Sequence, residues 1–487
     1  MNILQETTFI GRVLRLCEAL SMLALTGCTV GPDYVPPNTA TPAAWHTQLD
    51  GGLACEEINP QALASWWAAL DDPGLTHLME RAVAGNLDLK NARARIREAR
   101  ARRGVARGAL FPTLDATGSA TASHTDTDAG ADTSREVYAA NFDAGWELDV
   151  FGSVRRSVEA VEADLQASQE DMRDVLVSLL AEAALNYVEV RTFQARLAAA
   201  EASLEAQDET YQLTLWRRQA GLDDELAVQQ ARYNLENTRS QIPTLRTGLE
   251  ETMNRIAVLL GEQPGKVHRD LEKPEPIPVP PSKVAVGVPA DVVRRRPDVR
   301  RAERELAAQT ARVGVAAADL YPKLTLNGSV GLETLNGPSS SSTWTVSGGP
   351  RISWAIFNAA VRPGIEVQSA LQEQALIQYE AAVLSSLEEV ENALVAYAQE
   401  QQRRENLQEA TQAAQAAVEL AQHKYQAGLT DFSNVLDAER SLLSFQDQLT
   451  QSSGTVTSNV IRLYKALGGG WTSMALAPAA PEAVKQP

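Results

Sequence analysis

Apolar and polar residues alternate along four segments of the chain, at about 113–123, 137–150, 323–333 and 343–356. Each segment joins a long charged stretch with helical periodicity. In the second, Tyr138, Ala140, Phe142, Ala144, Trp146, Leu148 and Val150 fall on one face of a strand, and Asn141, Asp143, Glu147 and Asp149 on the other. In the third, Leu324, Leu326, Val330 and Leu332 oppose Lys323, Thr325, Asn327 and Glu333. Strands of about ten residues, apolar outward and polar inward, are the mark of a transmembrane β-barrel. Four strands cannot close one, because about eight are needed, and open edges are not tolerated in lipid. The strands therefore belong either to a soluble sheet or to a barrel shared by several chains.

Helical periodicity covers about 86–110, 152–216 and 223–260, and again about 298–319, 361–426 and 430–467. No proline interrupts 152–216, which predicts a helix of roughly 95 Å at 1.5 Å per residue. Pro243 allows a kink in the third stretch. In each half the two shorter helices add up to about the length of the long one. Stacked end to end, they would run beside it. Ala, Gln, Glu and Arg dominate these stretches, a composition suited to thin, coiled-coil-like walls rather than a thick core.

The two halves repeat. Leu110-Phe111-Pro112 recurs as Leu320-Tyr321-Pro322, and Val150-Phe151 as Ile356-Phe357. Ala220-Gly221-Leu222 with Asp224 recurs as Ala427-Gly428-Leu429 with Asp431, and Leu260-Gly261 as Leu467-Gly468. An offset of about 207 residues throughout predicts an internal two-fold repeat. The expected organisation is a signal peptide 1–27, an N-terminal segment 28–85, a first repeat 86–261, a Pro-rich linker 262–290, a second repeat 291–468 and a tail 469–487.

Composition narrows the function. A net charge of −18 over 487 residues argues against nucleic acid or an anionic membrane surface as a partner. Arg93, Arg95, Arg97, Arg100, Arg102 and Arg103 instead suit pairing with the acidic residues of neighbouring helices. Near the N-terminus, Arg12 and Arg15 precede an apolar stretch that ends in Leu25-Thr26-Gly27-Cys28. This resembles a bacterial lipobox, in which Cys28 receives lipid and becomes the mature N-terminus. Glu18 departs from that pattern, and a translation start other than Met1 would account for it. Three cysteines cannot build a disulfide framework, and Cys55 would remain a lone thiol. The five histidines show no metal-ligand spacing, and no nucleophile elbow, P-loop or dinucleotide motif is found. Neither an enzyme nor a cofactor or metal site is expected.

Several blocks carry a family resemblance. They are Ser65-Trp66-Trp67 with Asp72-Pro73-Gly74-Leu75; Asn86-Leu87-Asp88; Arg294-Arg295-Arg296-Pro297-Asp298-Val299-Arg300; Tyr425-Gln426-Ala427-Gly428 with Val435-Leu436-Asp437-Ala438-Glu439-Arg440; and Ala466-Leu467-Gly468-Gly469-Gly470-Trp471. On these the chain resembles the TolC-like outer membrane factors, most closely their lipid-anchored NodT-type branch. The resemblance covers nearly the whole mature chain, and the Arg-Arg-Pro-Asp block is its most specific element.

The resemblance implies an α+β membrane protein: a homotrimer whose chains give four strands each to one twelve-stranded transmembrane β-barrel, continuous with a long periplasmic α-helical barrel. It implies the passive exit duct of a tripartite efflux system in the outer membrane of a Gram-negative bacterium. Outer-membrane lipid, a periplasmic adaptor and an inner-membrane RND-type transporter would be its partners. Tyr425 and Arg440 match positions that tie the periplasmic aperture shut, and Asp437 an acidic position at the constriction. Ser433 stands where relatives often carry an apolar residue, a departure that argues against a hydrophobic seal there. Gly221 and Gly428 fall at helix-hairpin tips, where family members meet the adaptor and where Gly permits a left-handed turn. Trp146, Tyr321, Trp344 and Trp354 suit an aromatic girdle at the barrel rims. Two alternatives stay open: a duct for type I protein secretion, and an acidic periplasmic coiled-coil scaffold without a pore. The four alternating segments oppose the scaffold, which needs no lipid face.

Overall fold

The computed structural model describes residues 29–126, 133–336 and 340–471. Cys28 and the rest of the expected signal peptide lie outside the described residues, as do 472–487. The elements in chain order are β1 (Leu53–Ala54), α1 (Pro60–Ala64), a 3-10 turn (Trp66–Leu70), α2 (Pro73–Gly85), α3 (Leu87–Gly108), β2 (Thr113–Thr125) and β3 (Thr133–Leu148). Then come α4 (Ser153–Gln219), α5 (Glu225–Leu259), α6 (His268–Leu271), β4 (Val284–Ala285) and α7 (Pro289–Arg295). The chain continues through α8 (Pro297–Ala318), β5 (Lys323–Asn336), β6 (Ser341–Ser353), α9 (Val361–Gln426) and α10 (Phe432–Ala466). The four expected strands and six expected helices are present within a few residues of their anticipated ends. α5 is continuous through Pro243. The chain divides into two compact units.

The first unit comprises residues up to Asn38, Arg95–Gln169 and Arg301–Glu380. Its centre is an antiparallel sheet in the order β2-β3-β5-β6. The register sets Ala116, Phe142, Val330 and Val346 in one row across all four strands, and Thr117, Asn141, Gly331 and Thr345 in the next. Side chains in successive rows point to opposite faces, so the four alternations add up to one apolar and one polar face. Leu114, Phe142, Trp344, Val346 and Ile352 of the apolar face are all exposed. Among the described residues, β2 and β6 are the unpaired edges of the sheet.

The sequence after Cys28 is strapped to this unit. Val30 N–H donates to the Phe151 carbonyl at 3.1 Å. Arg156, buried at the start of α4, donates to Val30 O and Gly31 O and pairs with Asp33 at 2.6 Å. Gly31, at φ +90, runs so close to Gly314 that a Cβ would lie 2.4 Å from the Gly314 Cα. Tyr34 Oη donates to Glu303 at 3.0 Å. On the helices, Arg102 pairs with Glu98 of its own helix, while Arg103 and Arg107 reach Glu162 on α4.

The second unit comprises Thr39–Ala94, Glu170–Arg300 and the chain from Ala381 onward. Its main core joins Val390, Leu394 and Tyr397 of α9 to Val456, Val460 and Leu463 of α10. The parallel pair β1–β4 packs into the same core through Leu53 and Val284. Periodicity alone gave no elements for 28–85, but capping chemistry builds them. Asn59 and Asp72 accept backbone N–H bonds at the starts of α1 and α2, each followed by proline at the first helical position. Trp66 is buried and stacks on Tyr464 at 5.6 Å. The Pro-rich segment is pinned rather than loose: Pro278 O accepts from Thr457 at 2.7 Å, and Glu275 pairs with buried Arg191 at 2.6 Å.

Candidate functional site

Two helical hairpins turn within the second unit, α4 into α5 and α9 into α10. Both turns are built the same way. Gly221 has φ +73 and Gly428 φ +70. Gly221 N–H bonds Arg218 O and Leu222 N–H bonds Arg217 O; Gly428 N–H bonds Tyr425 O and Leu429 N–H bonds Lys424 O. These paired closures form the Schellman motif, in which a left-handed Gly satisfies the orphan carbonyls at a helix end. A Cβ at either glycine would meet nothing within 4 Å, so backbone conformation alone selects Gly. Leu222 and Leu429, next in sequence, are exposed.

A polar and aromatic knot joins the two hairpins below these turns. Tyr425 Oη donates to the Asp223 carboxylate. Arg217 reaches the same oxygen at 2.9 Å and lies over the Tyr425 ring at 4.5 Å. Phe432 packs against Tyr425, with ring centroids 5.1 Å apart. Burial, and then the bond to Asp223, push the Tyr425 hydroxyl above its ordinary range, so it stays a donor. Arg217 is raised chiefly by its bond to Asp223, with burial opposing.

Two turns into α10, Arg440 crosses to α5, donating to Asn234 at 3.0 Å and Tyr233 at 2.7 Å, and also pairs with Asp437 at 3.1 Å. Ser433, Asp437 and Arg440 form one exposed stripe at i, i+4 and i+7. The structure thus brings together Tyr425 and Arg440 as cross-hairpin ties and leaves Asp437 and Ser433 exposed. Sequence reasoning missed their partners, Asp223, Arg217, Tyr233 and Asn234. The one signal available was position, since Asp223 directly follows the repeated Ala-Gly-Leu turn.

In the first unit, Trp146 Nε1 donates to Leu110 O at 3.0 Å, and Trp354 Nε1 to Leu320 O at 3.1 Å. Tyr321 stacks on Phe151 at 4.8 Å. These three residues gather where the strands meet the helices. Trp344 lies toward the opposite end of the sheet, across from Leu332 and near Tyr138, which pairs with Thr334.

The Arg-Arg-Pro-Asp block forms an ionic lock around buried Arg296. Arg296 grips Asp298 with two bonds of 3.0 and 2.6 Å, caps α10 through Ala466 O at 2.9 Å and pairs with Glu389 at 2.7 Å. Burial alone would raise the Asp298 carboxyl, but the guanidinium fork outweighs it and holds the group below the usual carboxylate range. Among the described residues no helix is long and apolar enough to cross a membrane, and no cluster of potential metal ligands occurs.

The fold and these features belong to a known class of channel. A family model described as "Outer membrane efflux protein" matches residues 78–262 and 288–469, and the chain belongs to that family. Nodulation protein T of Rhizobium leguminosarum bv. trifolii is 31% identical over 476 residues, 96% of this chain and 99% of that protein. The solvent efflux pump outer membrane protein SrpC of Pseudomonas putida is 32% identical over 461 residues, 93% and 97% of the two chains. Among solved structures, the outer-membrane channel OprN is 37% identical with a TM-score of 0.83, covering 91% of this chain and all of that one. The open-state MtrE channel of Neisseria gonorrhoeae is 27% identical with a TM-score of 0.77, covering 91% and 99%. The protein is an outer-membrane efflux channel of the tripartite kind.

Proposed function

We propose that three copies assemble into one passive duct. The carrying observation is the four-stranded sheet with an exposed apolar face and two unpaired edges. Such a sheet is unstable in lipid as a monomer, because unsatisfied edge groups cost several kcal/mol each. Three copies pairing β2 to β6 of a neighbour close a twelve-stranded barrel and remove every edge. Trp146, Tyr321 and Trp354 then form the girdle at one rim and Trp344 at the other. The two sets of elements, α3 to α5 and α8 to α10, act as repeats that wall the periplasmic part of the duct. In this reading the exposed leucine-capped tips at Gly221 and Gly428 seat a periplasmic adaptor, and an inner-membrane transporter supplies the energy. Heat-resistant trimers in outer-membrane fractions are expected. Monomers alone, in a sample that folds, would contradict the assembly.

The N-terminal strap supports lipidation of Cys28. It delivers the residue that follows, Thr29, to Gly152, just past the end of β3, where a Cβ on the glycine would lie 2.8 Å from Thr29. Cys28→Ser should abolish labelling by a palmitate analogue and leave trimers in place, because the barrel holds them in the membrane. Undiminished labelling of the variant would show that Cys28 carries no lipid.

The cross-hairpin knot is read as the gate. Tyr425→Phe with Arg440→Ser removes the bonds to Asp223, Asn234 and Tyr233 together, and resting conductance in planar bilayers should rise several-fold. Asp437→Asn should lower cation preference, since a ring of exposed carboxylates in a narrow pore concentrates cations. That preference should weaken with salt, as screening acts within about 8 Å at physiological ionic strength. Unchanged conductance and selectivity in intact trimers would place the constriction elsewhere.

A further inference from the structure

A cavity of about 550 Å³ lies among α4, α9 and α10, within the second unit and on the other side of α10 from the exposed Asp437 stripe. Its walls are small and apolar, from Ala199, Ala202, Val418 and Leu443, with amide side chains between them. Two residues that line it each carry a buried side-chain acceptor with no donor among the described residues. One is Glu439 Oε2, whose companion oxygen takes weak bonds of 3.2 Å from Thr210 and Gln422. The other is Gln207 Oε1, on a residue only 5% exposed, whose amide nitrogen is committed to Ser203 at 3.3 Å. Buried polar atoms are rarely left without partners.

Among the described residues the Glu439 carboxylate also has no counter-charge. The nearest cation in sequence, Arg440, points away to α5. Thr210 and Gln207 on α4 and Gln422 on α9 are neutral, and the other charged residue on the cavity wall is Glu419, a second carboxylate. Burial accordingly raises the Glu439 carboxyl above its ordinary range, with only the bonds from Gln422 and Thr210 opposing. Nothing in the channel reading uses this group.

We propose that this cavity is a binding site for a small amphipathic ammonium ion, its charged head held by Glu439 and Gln207 and its apolar body against the alanine and leucine wall. An ammonium group is all donor and no acceptor, which is what two orphaned oxygens and an unpaired carboxylate require. An apolar body matches walls that offer it no polar partner. The site does not depend on the gate assignment, because it uses neither Tyr425 nor Asp437.

Cyclohexylamine, with cyclohexanol as a neutral analogue of the same shape, tests the site by calorimetry on intact trimers in nanodiscs. At neutral pH the amine should bind at least tenfold more tightly than the alcohol, a difference of about 1.4 kcal/mol. Its affinity should fall as pH drops through the raised Glu439 value. Glu439→Gln should erase the amine's advantage. That variant removes a half-buried unpaired charge and should not weaken assembly. Gln207→Leu should weaken the amine several-fold and leave the alcohol unchanged. Equal affinities for amine and alcohol, full amine binding by Glu439→Gln, or a carboxyl that only takes up a proton with no amine bound would each overturn the proposal.

Discussion

Arg296→Ala should destabilise the protein by about 3–5 kcal/mol, the usual cost of removing one partner from a buried charge pair. The substitution takes away both bonds to Asp298, the cap on the Ala466 carbonyl and the contact with Glu389 at once. Arg296→Lys should recover part of the loss, since an ammonium keeps the charge but not the planar fork. The pH dependence has a definite sign. Asp298 has a depressed carboxyl in the folded protein, so its contribution is fully present above the ordinary carboxylate value near 4 and is lost as pH falls through the native one. Denaturant unfolding of the trimer followed by tryptophan fluorescence should therefore show an acid-sensitive step in wild type that is absent from Asp298→Asn. Equal stability of wild type and Arg296→Ala would show that the block is only a surface feature.

The second large effect concerns the sheet. Phe142→Arg or Leu326→Arg should each cost about 2–4 kcal/mol per chain, as for a charge placed on the mid-membrane lipid face of a barrel. With three copies in the proposed assembly the effect multiplies, so trimer yield should collapse. Asn141→Arg and Asn327→Arg, one row away on the polar face, should assemble almost normally. Equal damage from both pairs would refute the division into lipid and lumen faces.

The long elements were legible because their periods are strict. A two-residue repeat kept over four segments fixes both faces of the sheet, and a register slip by one residue would invert them. The 67 residues of α4 and 66 of α9 read as helix because no proline interrupts α4, while Pro363 in α9 sits in the first turn, where its missing N–H costs nothing. Residues 53–85 were not legible, because α1 and α2 are too short for a period and depend on the Asn59 and Asp72 caps and on Trp66 meeting Tyr464 nearly four hundred residues later. At the candidate gate, Tyr425 and Arg440 stood out by resemblance. Asp223 and Asn234 did not, since their roles exist only once two hairpins from different halves of the chain are packed together. Glu439 was hidden for a related reason: in sequence it is one more acidic residue on a charged helix, and only packing shows that it is half-buried with no cation beside it among the described residues.

If three of these chains enclose a single passive, cation-preferring pore, planar-bilayer recording of purified wild-type trimers should show discrete single-channel steps, one per trimer. The current should be ohmic, need no nucleotide or ion gradient beyond the applied voltage, and reverse at a potential that favours cations. Correctly assembled, membrane-inserted trimers that pass no current, including those carrying Tyr425→Phe with Arg440→Ser, would contradict such a pore.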